Sequence, residues 1–197
     1  ANTHSGLTAI KAGRLVYAVN DAIGSGAVSV TGTTSVLALG TFSDTVGTVT
    51  LESGGQITGT SGTLSTTGSF ELKGGTVSAI LAGSGAVNAT TANATTLSGS
   101  NTYTGPTTVG VFGTATSQLN VNHPNALGST LAGTTVNGGT GTTENKVVLG
   151  NGITVTDETL TLDGGASYRA GLRYSQASGT GTWDGNIVLA GFATYIG

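Results

Sequence analysis

Short stretches of alternating apolar and polar residues recur along the whole chain. The clearest of these stretches are residues 48–52, 69–73, 153–155 and 160–163. Alternation at period two is typical of β-strands that bury one face. Glycine recurs too often, and no stretch has a period of 3.6 residues, so the sequence does not favour helices. The pattern predicts an all-β chain made of many short strands.

Glycine pairs follow several of these stretches and indicate tight corners between strands. They stand at residues 54–55, 74–75, 138–139 and 164–165. Some equivalent corners are about 20 residues apart, which suits one coil of a β-solenoid. We therefore predict a right-handed parallel β-solenoid (a β-helix) of roughly ten short coils, forming a single domain over residues 1–197. An antiparallel β-sandwich, which also has many short strands, is the alternative.

The alternation also predicts which side chains point into the interior of the coils. Strand residues at every second position share one face of a sheet. We expect strong burial for seven leucines, namely Leu51, Leu72, Leu97, Leu119, Leu149, Leu162 and Leu189.

Two segments of the first half are echoed in the second half, the first of them 99 residues later. Residues 2–10 correspond to residues 101–109, and residues 20–25 correspond to residues 125–129. Self-similarity of this kind is typical of arrays. The chain therefore reads as two related halves, about 1–100 and 101–197, that belong to a longer array or a stacked filament.

Residues 97–109 carry the pattern Leu-x-Gly-x-Asn-Thr-Tyr-x-Gly-x-Thr-x-apolar. This pattern resembles the autotransporter-associated β-strand repeat of large secreted or surface-displayed bacterial proteins. The first copy departs from it at His4, which replaces the tyrosine, and the second departs at residues 110–116, where we expect a bulge or loop. The resemblance implies a β-solenoid and export from the cell, and it carries no catalytic residues.

Composition narrows the classes of function. Charged residues make up only 8% of the chain, the net charge is −3 and the six basic residues are scattered, which argues against a nucleic-acid partner. No apolar run is long enough for a membrane-spanning helix, so we expect no membrane insertion. The absence of Cys and Met fits, without requiring, a location outside the cytoplasm. We expect a secreted, cell-surface protein.

Few residues are candidates for chemistry. Asp157, Glu158 and Asp163 are the nearest approach to a carboxylate cluster, and His4 and His123 are the only imidazoles. Acidic turn residues are ordinary in β-proteins, and neither histidine has the partners that a zinc site or a triad needs. We expect no catalytic site, no metal site and no cofactor.

Two sets of residues are candidates for contacts with partners. Aromatic and basic residues concentrate in one region, and we expect a contact surface at Tyr168, Arg169, Arg173, Tyr174 and Trp183. Neither terminal segment resembles a polar cap, so we expect both ends of the solenoid to meet identical subunits or flanking repeats. The residues expected at that contact are Asn2, Phe192, Tyr195 and Ile196.

These observations rank three functions. The leading hypothesis is a structural extracellular protein that builds a stalk, layer or head-to-tail filament. The alternative is an adhesin passenger domain that binds a surface glycan or protein. An enzyme that acts on polysaccharides from a β-helix is the third.

Overall fold

A computed structural model describes residues 2–114, 116–175, 179–191 and 194–197, and over these residues it is all-β with no helix. The strands are β1 Thr8–Ile10, β2 Gly13–Val16, β3 Val28–Thr31, β4 Ser35–Gly40, β5 Asp44–Val46, β6 Val49–Gly59, β7 Thr63–Thr66, β8 Phe70–Val77, β9 Ile80–Gly83, β10 Val87–Ala89, β11 Ala94–Leu97, β12 Thr107–Val109, β13 Gln118–Val121, β14 Thr134–Asn137, β15 Gly139–Thr140, β16 Glu144–Leu149, β17 Thr154–Thr156, β18 Leu160–Asp163, β19 Tyr168–Tyr174, β20 Thr182–Asp184, β21 Ile187–Leu189 and β22 Thr194–Ile196.

The strands stack as a parallel β-solenoid with three sides. The first side contains β1, β3, the start of β6, the start of β8, β10, β12, β14, β18 and β21, in that order. The second contains β2, β4, the end of β6, the end of β8, β11, β13, β16, β19 and β22. Strands β6 and β8 turn a corner and belong to both sides, with a register shift between Glu52 and Gly55.

The third side is only partly strand. Strands β5, β7 and β9 pair there, as do β17 and β20. Between these two groups the chain runs without a named strand, but backbone hydrogen bonds continue the stack. Thr102 donates to the Leu81 carbonyl at 2.8 Å, and Ser129 donates to the Tyr103 carbonyl at 2.8 Å.

The number of coils is about eight, fewer than the ten predicted. Coil length varies along the chain. The first coil runs from Thr8 to its register partner Val28, whereas the longer sixth coil runs from Thr107 to Thr134. The later coils are longer because additional residues lie at the corners, including residues 110–114 and 116–117 between β12 and β13. The loop expected at residues 110–116 is thus present in the part of that segment that the structure describes.

The sandwich alternative is wrong because the strands pair in parallel. Over the described residues the single antiparallel strand pair is a local one between β15 and β19. Two parallel strands need a connection that carries the chain from the end of one strand back to the start of the next. The remaining sides of a solenoid coil supply this connection.

The core is a set of apolar ladders that run along the solenoid axis. One ladder on the first side includes Leu51, Leu72, Val136 and Leu162, and all four are buried. Burial is confirmed for six of the seven leucines, whereas the prediction for Leu189 is wrong, since its side chain is 57% exposed. Leu189 is in register with the buried Leu162, but no described residue covers it on its other side.

The glycine pairs mark one corner of the solenoid, as the sequence predicts. Gly55 and Gly75 are register partners, and Gly75 has a φ of +147°. A Cβ atom on Gly75 would lie 2.3 Å from the Gly55 carbonyl oxygen. The same corner recurs in later coils, where Gly138 donates its N–H to the Asp163 carbonyl at 2.8 Å. Glycine is needed at this corner because consecutive backbones approach too closely for a side chain.

Truncation of a ladder residue tests this core. We expect Leu72→Ala to lower the free energy of unfolding by about 2–5 kcal/mol, because it leaves a cavity among coils that cannot close around it. Leu131→Ala is the matched control, since Leu131 is 81% exposed, and its effect should stay within about 0.5 kcal/mol. Urea denaturation measures both values, and equal losses in the two variants would contradict the described packing.

Candidate functional site

The repeated asparagine motif forms a connection between consecutive coils. Asn101 is buried; its Oδ1 accepts a hydrogen bond from the Leu81 N–H at 2.8 Å, and its Nδ2 donates to the Ala126 carbonyl at 2.7 Å. One side chain therefore joins the coil before it to the coil after it. Asn2 makes the corresponding contact in the first copy, donating to the Ala22 carbonyl at 3.4 Å. In each half of the chain, the segment that begins with this asparagine is therefore stacked against the second echoed segment of the same half.

The aromatic residue of the motif lies in the core. Tyr103 is fully buried, its hydroxyl is 2.7 Å from the Thr107 Oγ1, and its ring lies 6.5 Å from that of Phe70. Burial raises the pKa of the Tyr103 hydroxyl, so it stays protonated at neutral pH. His4 occupies the equivalent position in the exposed first coil, where a polar ring is not buried.

The three acidic candidates do not share one environment. Glu158 is buried and accepts a hydrogen bond from the Thr134 hydroxyl at 2.8 Å. Asp157 is exposed at a φ of +58°, and Asp163 is the last residue of β18, half-buried. Among the described residues, no three His, Asp or Glu side chains are grouped as ligands of a metal ion. His123 is a turn residue whose Nδ1 accepts the Asn125 N–H at 3.0 Å.

Burial alters the titration of Glu158. Removal from water raises the pKa of this carboxyl above its ordinary value of 4.5, and the Thr134 hydrogen bond opposes the rise. The carboxyl therefore binds its proton more tightly in the folded chain than in the unfolded chain.

The outer face of β19 carries a cluster of charges and one ring. Arg173 forms two hydrogen bonds of 2.8 Å with the Glu144 carboxylate, and Lys146 Nζ lies 3.7 Å from the same group. The guanidinium carbons of Arg169 and Arg173 lie 5.2 and 5.5 Å from the centre of the Tyr195 ring. The structure thus joins two predicted surface residues to Tyr195, which the sequence placed at an intersubunit contact.

Of the other three predicted surface residues, Tyr174 and Trp183 line one pocket with Arg173, whereas Tyr168 lies at a different corner. Tyr168 packs against the ring of Phe112 with 4.8 Å between ring centres. The Tyr174 hydroxyl donates to the Asn151 Oδ1 at 2.7 Å, and the Trp183 Nε1 donates to the Glu158 carbonyl at 3.1 Å. Four of the five residues are thus linked through Arg173, which shares the Tyr195 ring with Arg169 and lines one pocket with Tyr174 and Trp183. Tyr168 lies apart from them, and a contact surface at these residues stays a prediction.

The last coil leaves apolar residues uncovered. Three apolar residues of the last coil continue the buried ladders. Ile187, Leu189 and Ile196 are in register with the buried residues Leu160, Leu162 and Leu172. Ile196 is 60% exposed. A pocket of about 290 Å³ opens beside it, lined in part by Leu149, Leu172, Trp183, Ile187 and Ile196. Phe192, the remaining residue expected here, lies outside the described residues.

The first coil is also partly uncovered. Leu7, Val16 and Val19 are each exposed by more than half, although Ile10 and Tyr17 beside them are buried. Asn2 is exposed, and its N–H donates to the Asp21 carbonyl at 3.0 Å within its own chain. The two ends therefore differ in their core residues. Ile10, in register with the buried Val30, is itself buried in the first coil, whereas Leu189, in register with the buried Leu162, is exposed in the last.

Sequence reasoning missed a polar groove on the second side of the solenoid. It follows β16 and is lined in part by Asn120, Asn122, Asn151 and Ser175. The proximity of Asn120 and Asn122 is visible in the sequence. Ser175, however, is far from both in sequence. It lies opposite them only because β13, β16 and β19 are in register across three coils.

Comparison with known proteins returns no family model, no curated protein and no solved structure that matches this chain. The fold alone therefore defines its class, a parallel β-solenoid. In the part of the chain that the structure describes, no helix is long and apolar enough to cross a membrane.

The buried asparagine gives a testable prediction. Asn101→Ala should lower the free energy of unfolding by about 1–3 kcal/mol, because it leaves the Leu81 N–H and the Ala126 carbonyl without their partner. Asn2→Ala removes the same residue type from an exposed copy of the motif and should cost less than about 0.5 kcal/mol. Thermal unfolding of both variants measures the difference, and a larger loss for Asn2→Ala would refute the role given to Asn101.

Glu158 gives a prediction about pH. Because its pKa is raised in the folded chain, its contribution to stability is greatest below pH 4.5 and falls as the pH rises through the raised pKa. Glu158→Gln should therefore gain stability relative to the wild type as the pH rises through that range. Thr134→Val removes the hydrogen bond that lowers the pKa of Glu158. The pKa should then rise further, so the loss of stability should continue to higher pH. Urea titrations at several pH values measure this, and parallel curves for the wild type and Glu158→Gln would rule it out.

Proposed function

We propose that this protein is a structural module of an extracellular stalk, layer or filament, and that its ends stack on further β-coils. The observation that carries the proposal is the last coil, where Leu189 and Ile196 continue the buried ladders yet remain exposed. The stacking partner is an identical subunit or a flanking repeat.

Both backbone and side chains favour such stacking. Strands β20, β21 and β22 each pair with one neighbour within the described residues. Their outer edges present N–H and C=O groups that another strand can pair with. Burial of a leucine or isoleucine side chain contributes about 1.5–3 kcal/mol. A further coil would therefore complete the hydrogen bonding and the core together.

Coils of different length already stack within the chain. Thr107, at the start of the longer sixth coil, remains in register with Thr134 and with Val87. The additional residues lie at the corners, so they leave the strand register unchanged. The shorter coils of the first half and the longer coils of the second half could therefore also meet at a contact between subunits. Contact between unlike ends propagates as a filament.

Composition and the family resemblance support an extracellular setting for the module. The chain has no Cys or Met and only 8% charged residues. Low charge leaves little repulsion between stacked modules.

An adhesin passenger is the second candidate, and the longer coils favour it. They carry loops at one corner, where Phe112 is about half exposed against Tyr168. Exposed aromatic residues on loops are common in contact surfaces. The carboxylates do not favour an enzyme, because Glu158 is held inside the core, apart from the exposed Asp157.

Lysine substitutions at the open end test the structural function. The wild type should associate end to end as its concentration rises, and Leu189→Lys and Ile196→Lys should weaken this by about tenfold or more, because each would bury an unpaired charge. Leu131→Lys changes a leucine that is still more exposed, on a lateral loop, and should have no effect. Sedimentation and negative-stain images of rod length measure the association.

Hydrogen exchange completes this test. If the wild type stays monomeric at high concentration while the amides of β20, β21 and β22 are strongly protected, the chain covers its own end and the proposal is wrong. If the monomer leaves those amides unprotected, the end still requires a further coil.

A further inference from the structure

The polar groove on the second side follows strand β16. Two adjoining cavities of about 480 and 350 Å³ share Asn120, Val148 and Ser175 as lining residues. The wall from β13 and the residue after it contains Gln118, Asn120 and Asn122. Strand β19 and the residue after it supply Arg173, Tyr174 and Ser175 on the other side.

The floor of the groove is formed by small residues at the end of β16 and directly after it, which leave space between the two walls. Val148 is in register with Asn120 on one side and Arg173 on the other, and its side chain is buried. Gly150 follows it and has no side chain to fill the space. A Cβ atom on Gly150 would lie 2.5 Å from the Asn122 Oδ1.

The lining is rich in neutral groups that both donate and accept hydrogen bonds. The Gln118 Nε2 donates to the Asn120 Oδ1 at 2.8 Å, and the Asn120 Nδ2 donates to the Thr96 Oγ1 at 3.1 Å, so this wall is held in place. The Tyr174 hydroxyl fixes the Asn151 Oδ1 at 2.7 Å. Among the described residues, the Asn122 amide and the Asn151 Nδ2 have no partner, and both residues are exposed.

One end of the groove carries a net positive charge. Lys146 and Arg173 line it together with Glu144. Arg173 forms two hydrogen bonds with the Glu144 carboxylate. Lys146 lies farther from it, at 3.7 Å, and is the cation less engaged by that carboxylate.

We propose that this groove binds a short oligosaccharide that contains an acidic sugar. The asparagine amides bind its hydroxyl groups, and Lys146 faces its carboxylate. Sugars suit the groove because each of their many hydroxyl groups can donate and accept hydrogen bonds, as the asparagine and glutamine amides do. A peptide would pair with an open strand edge, but β16 is already paired on both sides. A nucleic acid would require clustered cations, and the chain has a net charge of −3.

The inference rests on the adhesin function, the second of the two proposed above, and is independent of end-to-end stacking. Its test uses the full 197-residue chain and a panel of short oligosaccharides that contain uronic or sialic acid, with their neutral counterparts alongside. Calorimetry should detect binding of at least one acidic member and weaker binding of its neutral counterpart. Asn122→Ala and Lys146→Gln should each weaken binding by about tenfold.

One blocking variant and two control variants locate the site. Gly150→Ala should block the groove, because its Cβ would displace the Asn122 side chain, and circular dichroism verifies that the variant folds. Asn186→Ala, at an exposed asparagine outside the groove, should leave binding unchanged. Phe112→Ala, in the exposed aromatic cluster, should also leave binding unchanged.

Two results would overturn the inference. If no acidic oligosaccharide binds above background, the groove is not a glycan site, and an adhesin that binds a protein through the loops survives. If an acidic oligosaccharide binds but only Phe112→Ala weakens it, the adhesin function stands and the glycan site lies elsewhere.

Discussion

Parallel backbone pairing between consecutive coils is the interaction on which the rest of this structure depends. It aligns Leu51 with Leu72 and Val136 with Leu162, so inward side chains stack on side chains of the same kind. The apolar core is then built from small and medium residues, and the chain needs few aromatic residues. Because the pairing is repeated at each coil, a strand at the end of the stack keeps an unpaired edge and uncovered apolar residues.

Buried polar side chains help to hold this register where strands are absent. Asn101 connects the coil before it to the coil after it on the third side. Asn145 acts similarly at another corner, where its Oδ1 accepts the Ser117 N–H and its Nδ2 donates to the Asn137 carbonyl. Gly110 leaves the space that the Asn145 amide occupies, since a Cβ there would lie 2.1 Å from its Nδ2. A shift of register would leave these buried groups without partners, which is costly.

The corners and the outer faces are less constrained, and both candidate contact regions lie there. Longer coils place Phe112 beside Tyr168 at one corner. On the second side, Glu144, Lys146 and Arg173 meet because β16 and β19 are neighbours in the stack. Neither region disturbs the inward ladders, since outward residues alternate with buried ones along each strand.

The class of fold, the corners and most of the core follow from local patterns in the amino-acid sequence. Period-two alternation identifies Leu72 and Leu97 as inward residues, and glycine pairs identify turns, because both signals are local. Which coil lies over which depends instead on long-range backbone pairing, which the folded chain alone reveals. Variable corner lengths conceal that alignment, so the number of coils and the exposure of Leu189 were not predictable. Nor was the position of Tyr168, apart from the pocket that Tyr174 and Trp183 line. The groove at Asn122 and Ser175 likewise requires residues far apart in sequence to be in register, which only coil-to-coil hydrogen bonding establishes.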